Sequence, residues 1–320
     1  MLSVKEKFPD STLPLAYTTY MNSTAIKSFQ QLCSRKVASG SDPVVMITAY
    51  DAPTMRYATA GGADIVLVGD SAAMVMLGYE STMSMTTNEM EILVGAVART
   101  DSDLPVVADM VWGSYHVSTE KAVKHAIDLV RAGAHAVKIE GGQERVDVIR
   151  AIVDAKIPVI GHVGLTPQSL LELGSYQVQG KDFSRAQQVL LDARAVEQAG
   201  ASMIVVECVP DALSRTITEE LSIPVIGIGA GRHVDGQVLV MHDLLGIGPG
   251  ELPKFVRTYA DVENTAREAV AKYVADVREG NFPNSEETYH MADDVVAELR
   301  KDSDTSASIK KESPRDSSRL

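Results

Sequence analysis

Short apolar runs recur at regular intervals through the middle of the chain. They fall at residues 44–50 (VVMITAY), 63–69 (ADIVLVG), 104–110 (LPVVADM), 134–141 (AHAVKIEG), 157–164 (IPVIGHVG), 201–208 (ASMIVVEC), 223–229 (IPVIGIG) and 236–242 (GQVLVMH). Each has the length of a strand. Near-continuous Val and Ile, in place of strict alternation, marks strands covered on both faces, as in a parallel sheet. Between the runs lie polar or glycine-containing turns and segments of helical period. Residues 118–132 place Ala122, Val123, Ala126, Ile127 and Val130 on one stripe, which predicts a helix lying against the sheet. Thr86 with Glu89 and Ser184 with Gln187 have capping-box spacing, and Gly133 and Gly200 stand at helix ends. Eight strand and helix units over roughly 200–250 residues predict a (β/α)8 barrel of the TIM type. An open, doubly wound sheet is the competing topology.

The flanks read differently. Residues 1–22 are aperiodic, with no apolar core of a secretory signal, and are expected to form a loose extension. Residues 23–37 carry Ile26, Phe29, Leu32 and Cys33 near helical spacing and predict a short amphipathic helix. Residues 262–280 predict a strong closing helix with a glycine stop, which puts the barrel domain at 23–291 with a helical extension at its end. From 292 to 320 large apolar residues are almost absent, so this charged tail is expected to stay disordered.

Composition narrows the classes of function. A formal charge of −13 argues against a nucleic-acid surface, which needs clustered Lys and Arg. No apolar stretch of about 18 residues runs without polar interruption, so no membrane span is expected. Two cysteines, Cys33 and Cys208, are too few for a disulfide framework, and the expected compartment is the cytoplasm.

Polar residues collect at the carboxyl ends of the predicted strands. Tyr50 and Asp51 follow the first, Asp70 and Ser71 the second, and Asp109 ends the third. Lys138 and Glu140 end the fourth, His162 the fifth and Glu207 the sixth. Strand side chains alternate faces, so Lys138 and Glu140 point the same way. In a barrel these positions face one shared site. Each has a plainer reading: Asp51 as a helix cap, His162 as a hydrogen-bonded core residue, Lys138 with Glu140 as a structural ion pair. Taken together, several carboxylates in one pocket repel unless a cation neutralises them. Asp70, Asp109 and Glu140 suit a hard divalent metal, and Mg²⁺ leaves room for a bidentate 2-oxo acid. Lys138 would hold the substrate carboxylate; Schiff-base chemistry is its competing role. Glu207, between Val206 and Cys208, is expected to be desolvated, as a carbon-acid base requires; an ion pair with His162 or Lys138 is the alternative.

The same residues lie in seven ordered blocks: MITAYD at 46–51, LVGDS at 67–71, VKIEGG at 137–142, GHVGLTPQS at 161–169, VQGKD at 178–182, ECVP at 207–210, and IPVIGIGAG with DGQVLVMHDLLG at 223–246. From about residue 23 to about 290 the chain closely resembles the ketopantoate hydroxymethyltransferases. The resemblance implies a (β/α)8 barrel that moves a one-carbon unit from 5,10-methylenetetrahydrofolate to α-ketoisovalerate, in pantothenate synthesis. It implies Asp70 and Asp109 as Mg²⁺ ligands with Glu140 completing the metal site. It further implies Asp70, Ser71, Asp109 and Lys138 as ketoacid contacts, His162 in the site wall and Glu207 as base. The implied assembly is a homodecamer joined in part by the helix at 23–37. One departure is visible: Met110, Val111 and Trp112 stand where the family commonly has Leu-Pro-Phe, which places the only tryptophan near the pocket rim. Mg²⁺-dependent lyases and phosphoenolpyruvate-mutase-like barrels also bind 2-oxo acids at strand ends. They typically carry a cysteine in a lysine-containing loop, and this sequence has no such motif.

Overall fold

The computed structural model describes residues 22–100, 102–248 and 252–301. All eight predicted strands form. They are β1 (Val44–Thr48), β2 (Ile65–Val68), β3 (Val106–Asp109), β4 (Ala136–Glu140), β5 (Val159–Gly164), β6 (Met203–Glu207), β7 (Val225–Ile228) and β8 (Gly236–Leu239). Every neighbouring pair is parallel and β8 returns to β1, so the sheet is a closed barrel in sequence order, not an open one.

Parity along each strand decides what faces the barrel axis. Val44 and Met46, Ile65 and Leu67, Val107, Ala136, Ile160, Met203 and Val205, Ile226 and Val238 form one inner apolar cluster. The alternating set, including Val66, Val68, Ala108, Val137, Ile139, Val159, Ile204 and Val206, packs outward under the helices. Asp109, Lys138, His162 and Glu207 each lie two residues beyond an inner member of their strand, and Glu140 two beyond Lys138. All five therefore share the interior face at the carboxyl end.

The surrounding helices largely follow their local signals. Helix Thr119–Ala132 buries Ala122, Ala126 and Leu129, and ends at Gly133 with φ 123°. Thr86 and Glu89 form the expected capping box on Thr87–Ala98. The expected Ser184 cap is corrected: helix Phe183–Gln198 begins two residues earlier than that cap implies, and its cap is Asp182, whose Oδ1 accepts from the Arg185 N–H at 2.9 Å. A carboxylate at the N-terminus also meets the helix dipole, an advantage that a serine lacks.

The helix predicted at 23–37 is shorter, Ser23–Leu32, with a 3₁₀ turn at Val37–Ser39. Its Phe29 and Leu32 join the inner cluster and close the floor of the barrel, opposite the carboxyl ends. The segment after it is fastened by Lys36. The Lys36 Nζ lies 2.6 Å from Asp235 Oδ2 and donates to the carbonyls of Thr218 at 2.9 Å and Ile223 at 3.3 Å. Asp235 is fully buried and also accepts from the Val37 N–H at 2.9 Å and the Val225 N–H at 3.0 Å.

Two compact units divide the chain, residues 1–261 and 262–320. The second contains helix Val262–Glu279, stopped by Gly280 at φ 75°, and a 3₁₀ turn at Ser285–Glu287. Residues 293–301 are helical, which corrects the expectation of disorder from 292 onward. The stretch DDVVAELRK opens on acids and continues in good helix formers, and that outweighs its small apolar content. Residues 1–21 and 302–320 lie outside the described residues. Among the described residues no helix is long and apolar enough to cross a membrane.

Candidate active site

The carboxyl end of the barrel encloses a cavity of about 200 Å³. Asp70, Ser71, Asp109, Lys138, Glu140, His162 and Glu207 all line it, so the structure gathers these seven into one chamber. Asp51 is not part of it. Asp51 caps helix Ala52–Ala60, accepting from the Thr54 N–H at 2.8 Å, which is the plainer of its two readings.

The chamber is wired by short contacts. The Lys138 ammonium lies 3.0 Å from Asp109 Oδ1 and 3.2 Å from His162 Nδ1. His162 in turn is 3.5 Å from Glu140 Oε1 through Nδ1 and 3.2 Å from Glu207 Oε2 through Nε2. The Asp70 N–H donates to Asp109 Oδ2 at 3.0 Å, tying β2 to β3 at the point where both acids emerge. Gly69 allows this approach, because a Cβ there would stand 2.9 Å from the Ser71 hydroxyl. Ser71 is positioned by Tyr50, a fully buried residue whose hydroxyl is 2.8 Å from Ser71 Oγ.

Burial and crowding set the charges. Desolvation, then Asp109 and Glu140, push the Asp70 carboxyl well above the usual carboxylate range; Lys138 and Gln168 offset only part of this. Burial pushes Lys138 down, but Asp109, Glu140 and Asp70 reverse it and hold the ammonium above its ordinary value. A lysine so held stays charged and makes a poor Schiff-base nucleophile. Burial also raises Glu140, yet the hydrogen bond and charge of His162, with Lys138, bring it below its ordinary value. His162 is pushed down by burial and by Lys138, and its bonds to Glu140 and Glu207 carry it up to about 9.

Glu207 differs from its neighbours. Its side chain keeps 16% of its surface exposed, against 3% for Glu140, and it lines the cavity. Val206 packs outward under the helices, so the apolar surface beside Glu207 comes from Val205 and Ile228, which line the cavity with it. The chain turns sharply after it: Cys208 takes the left-handed conformation at φ 48°, a placement that costs a non-glycine residue about 1–3 kcal/mol. The Cys208 N–H to Ile228 bond at 2.9 Å and the Gln179 N–H to Cys208 carbonyl bond at 2.8 Å hold that turn. Burial raises the Cys208 thiol to about 11, so it is no thiolate at neutral pH. Gly164 (φ 93°) leaves room for the Glu207 carbonyl, 2.3 Å from where a Cβ would sit.

With this geometry in hand, comparison with known proteins is informative. The family model for ketopantoate hydroxymethyltransferase matches residues 27–285. The chain belongs to the ketopantoate hydroxymethyltransferase family. A 3-methyl-2-oxobutanoate hydroxymethyltransferase of Geobacillus kaustophilus (strain HTA426) is 50% identical over 79% of this chain and 91% of its own length. One of the same name from Pyrobaculum calidifontis (strain DSM 21063 / JCM 11548 / VA1) is 50% identical over 78% and 94%. Among solved structures, a phosphoenolpyruvate phosphomutase from Streptomyces platensis subsp. rosaceus superposes with a TM-score of 0.56 at 15% identity, covering 90% of this chain and 99% of that one. That likeness concerns the fold alone.

For a ketopantoate hydroxymethyltransferase, the expected metal ligands were Asp70, Asp109 and Glu140. Asp70 and Asp109 fit a hard cation: they are adjacent all-oxygen donors, one of them pushed up by the other. Asp109 Oδ1 is buried without a well-aligned donor despite the nearby ammonium. Glu140 lines the same cavity, and its charge helps to raise Asp70. Its Oε2 accepts from the Gln168 N–H at 2.9 Å and its Oε1 faces His162. Among the described residues no three His, Cys, Asp or Glu side chains are gathered for metal binding. Two carboxylates suffice for Mg²⁺, which keeps several waters.

Gln168 was missed as a site residue, although it lies in the GHVGLTPQS block. Its amide Nε2 donates to Asp70 Oδ2 at 2.8 Å and to the Met110 carbonyl at 3.0 Å, while its Oε1 accepts from the Tyr115 hydroxyl at 2.7 Å. Nothing in a Pro-Gln-Ser turn signals this role except its place after a site strand. Replacing Gln168 by Leu frees Asp70 and Tyr115 together. The affinity for Mg²⁺, read by titration calorimetry, is expected to fall about 10–100-fold. Unchanged affinity in a folded variant would show that Gln168 does not orient Asp70. Trp112 is 43% exposed, with its ring 6.1 Å from that of His116, and does not line the cavity. The GIGAG stretch turns beside the cavity, where the Phe255 ring lies against Gly229.

Proposed function

We propose that this protein transfers a hydroxymethyl group from 5,10-methylenetetrahydrofolate to 3-methyl-2-oxobutanoate, forming 2-dehydropantoate for pantothenate and coenzyme A synthesis. One observation carries the reading beyond family membership. An ammonium whose charged form is favoured by Asp109, Glu140 and Asp70 stands beside paired aspartates, and a more open carboxylate, Glu207, lines the same cavity from a separate strand. This is a division of labour suited to a 2-oxo acid whose C3 proton must leave.

In this reading Lys138 binds the ketoacid carboxylate and forms no imine. Ser71, held by Tyr50, donates its hydroxyl to the same end of the substrate. Asp70 and Asp109, with Glu140 beside them, would hold Mg²⁺, which would supply Lewis-acid polarisation of the ketone. Glu207 removes the C3 proton, with His162 orienting the carboxylate through Nε2 at 3.2 Å. Glu140 and Gln168 keep His162 and Asp70 in place. The carbanion carbon then takes the one-carbon unit; water provides the product's hydroxyl oxygen, and the proton on Glu207 returns to it.

The test is reconstitution with 3-methyl-2-oxobutanoate, methylenetetrahydrofolate and Mg²⁺. Formation of 2-dehydropantoate is expected, lost on chelation with EDTA and restored by added Mg²⁺. Turnover of phosphonopyruvate with no product from the folate reaction would move the assignment to the mutase and lyase class.

A further inference from the structure

The cavity holds one acid to which the chemistry above gives no work. Asp243, in the short helix Met241–Leu245 after β8, lines it together with Ile228, Val238, Leu239, Pro253 and Phe255. This wall is otherwise apolar. β7 lies between β6 and β8, so Asp243 and Glu207 flank the stretch of wall formed by Ile228.

Several other half-buried or buried acids of this barrel are fastened. Asp235 has Lys36 and two backbone N–H groups, Asp51 caps a helix, and Asp109 has Lys138. Asp243 has no such partner: among the described residues neither a cation nor a hydrogen-bond donor pairs with its carboxylate. Burial, unopposed, pushes that carboxyl above its ordinary value. An unpaired carboxyl on an apolar wall is costly to keep, and such groups are found where a proton has to move.

The proposed reaction has a second half that needs a proton carrier. Breaking the N10–CH₂ bond of the donor requires a proton on N10, and the water that supplies the hydroxyl oxygen must lose one. Glu207 is committed to the ketoacid carbon. Asp70 and Asp109 suit the cation, and Glu140, His162 and Lys138 are engaged with one another.

We infer that Asp243 is the proton-transfer group for the one-carbon donor, an assignment that rests on the function proposed above. Asp243 in its acid form protonates N10 as the N10–CH₂ bond breaks, leaving the methylene as an iminium on N5. Its carboxylate then takes a proton from water as the water oxygen bonds to the methylene carbon. The N5–CH₂ bond breaks, its electron pair staying on N5, which receives that proton, while the hydroxyl proton of the departing carbon passes to Asp243 and restores its acid form. The two hydrogens of water thus end on N5 and N10, and the one-carbon unit is released into the cavity at the oxidation level of formaldehyde. Addition of the ketoacid carbanion forms the new C–C bond, and the Glu207 proton completes the hydroxyl.

The experiment compares wild type, Asp243→Asn and Asp243→Glu in three assays. They are deuterium exchange at C3 of the ketoacid without folate, product formation from methylenetetrahydrofolate, and product formation from free formaldehyde. The inference expects Asp243→Asn to lose folate-dependent transfer by about 100-fold or more. C3 exchange and the formaldehyde reaction stay near wild-type rates, because neither needs N10 protonated or water activated. Asp243→Glu recovers part of the folate reaction. Folate-dependent transfer near the wild-type rate in Asp243→Asn would overturn the inference, and so would parallel losses in all three assays. Wild-type protein inert toward both donors would defeat the functional assignment and this inference with it, a result distinct from a selective or general loss in the variant alone.

Discussion

Glu207→Gln will slow exchange of the C3 hydrogen of 3-methyl-2-oxobutanoate with heavy water by about 10²–10⁴-fold, the usual worth of a positioned general base. The substitution keeps size and hydrogen-bonding capacity but cannot accept the proton. Placement is what makes the loss large. Glu207 stands at the inward position ending β6, fixed on one side by the turn at Cys208 and on the other by His162 at 3.2 Å. Glu140, Asp70 and Asp109 cannot substitute readily, since Glu140 is bound by Gln168 and His162 while Asp70 and Asp109 answer to Lys138 and the cation. The Mg²⁺ affinity of the variant should match that of wild type, because Glu207 lies on a different strand from both proposed ligands. Exchange is measured by proton NMR without folate, so donor chemistry cannot mask the result. Wild-type exchange in Glu207→Gln would remove Glu207 as the base; absence of Mg²⁺-dependent exchange in the wild type would remove the carbanion route itself.

Much of this site is legible in the chain because charge is conspicuous inside Val and Ile runs. Lys138 and Glu140, two residues apart on a buried strand, could only face one side, and parity from Ala136 shows that side to be the barrel axis. Strand ends were drawn up to three residues too long, since Ala63, Asp64 and Pro105 continue the apolar or extended look of a strand outside its paired residues. Gln168 and Tyr115 were not legible. Neutral polar residues in turns have many uses, and their role here arises only when the turn after β5 folds back over β2 and β3. Glu140 has partners that its spacing did not reveal: its Oε1 faces His162 and its Oε2 accepts from the Gln168 N–H. Asp243 was passed over because an acid opening a helix already has an ordinary explanation in the helix dipole. Only the cavity wall and its missing partners give it another.

Lys36→Met is the substitution with the largest expected cost to stability. It leaves Asp235 fully buried with its charge uncompensated, retaining only the Val37 and Val225 N–H groups as partners. Removing one member of a buried ion pair typically costs about 3–5 kcal/mol, because the survivor's desolvation is no longer offset. At about 2–4 °C per kcal/mol for a barrel of this size, the melting midpoint should fall by roughly 10 °C at fixed protein concentration. The Thr218 and Ile223 carbonyls lose a donor as well, which adds to the cost. The double variant Lys36→Met with Asp235→Asn removes both charges and keeps an acceptor oxygen, so it should recover a large part of the loss. That recovery separates an uncompensated charge from lost packing of the lysine stem, which the double variant would not restore. C3 exchange at 25 °C should be preserved in the folded fraction of each variant, since Lys36 and Asp235 lie at the floor of the barrel while Glu207 and Lys138 lie at its mouth. An unchanged midpoint in Lys36→Met would show that the pair does not hold the N-terminal segment to the barrel. A fall in the double variant as deep as in the single would assign the effect to packing.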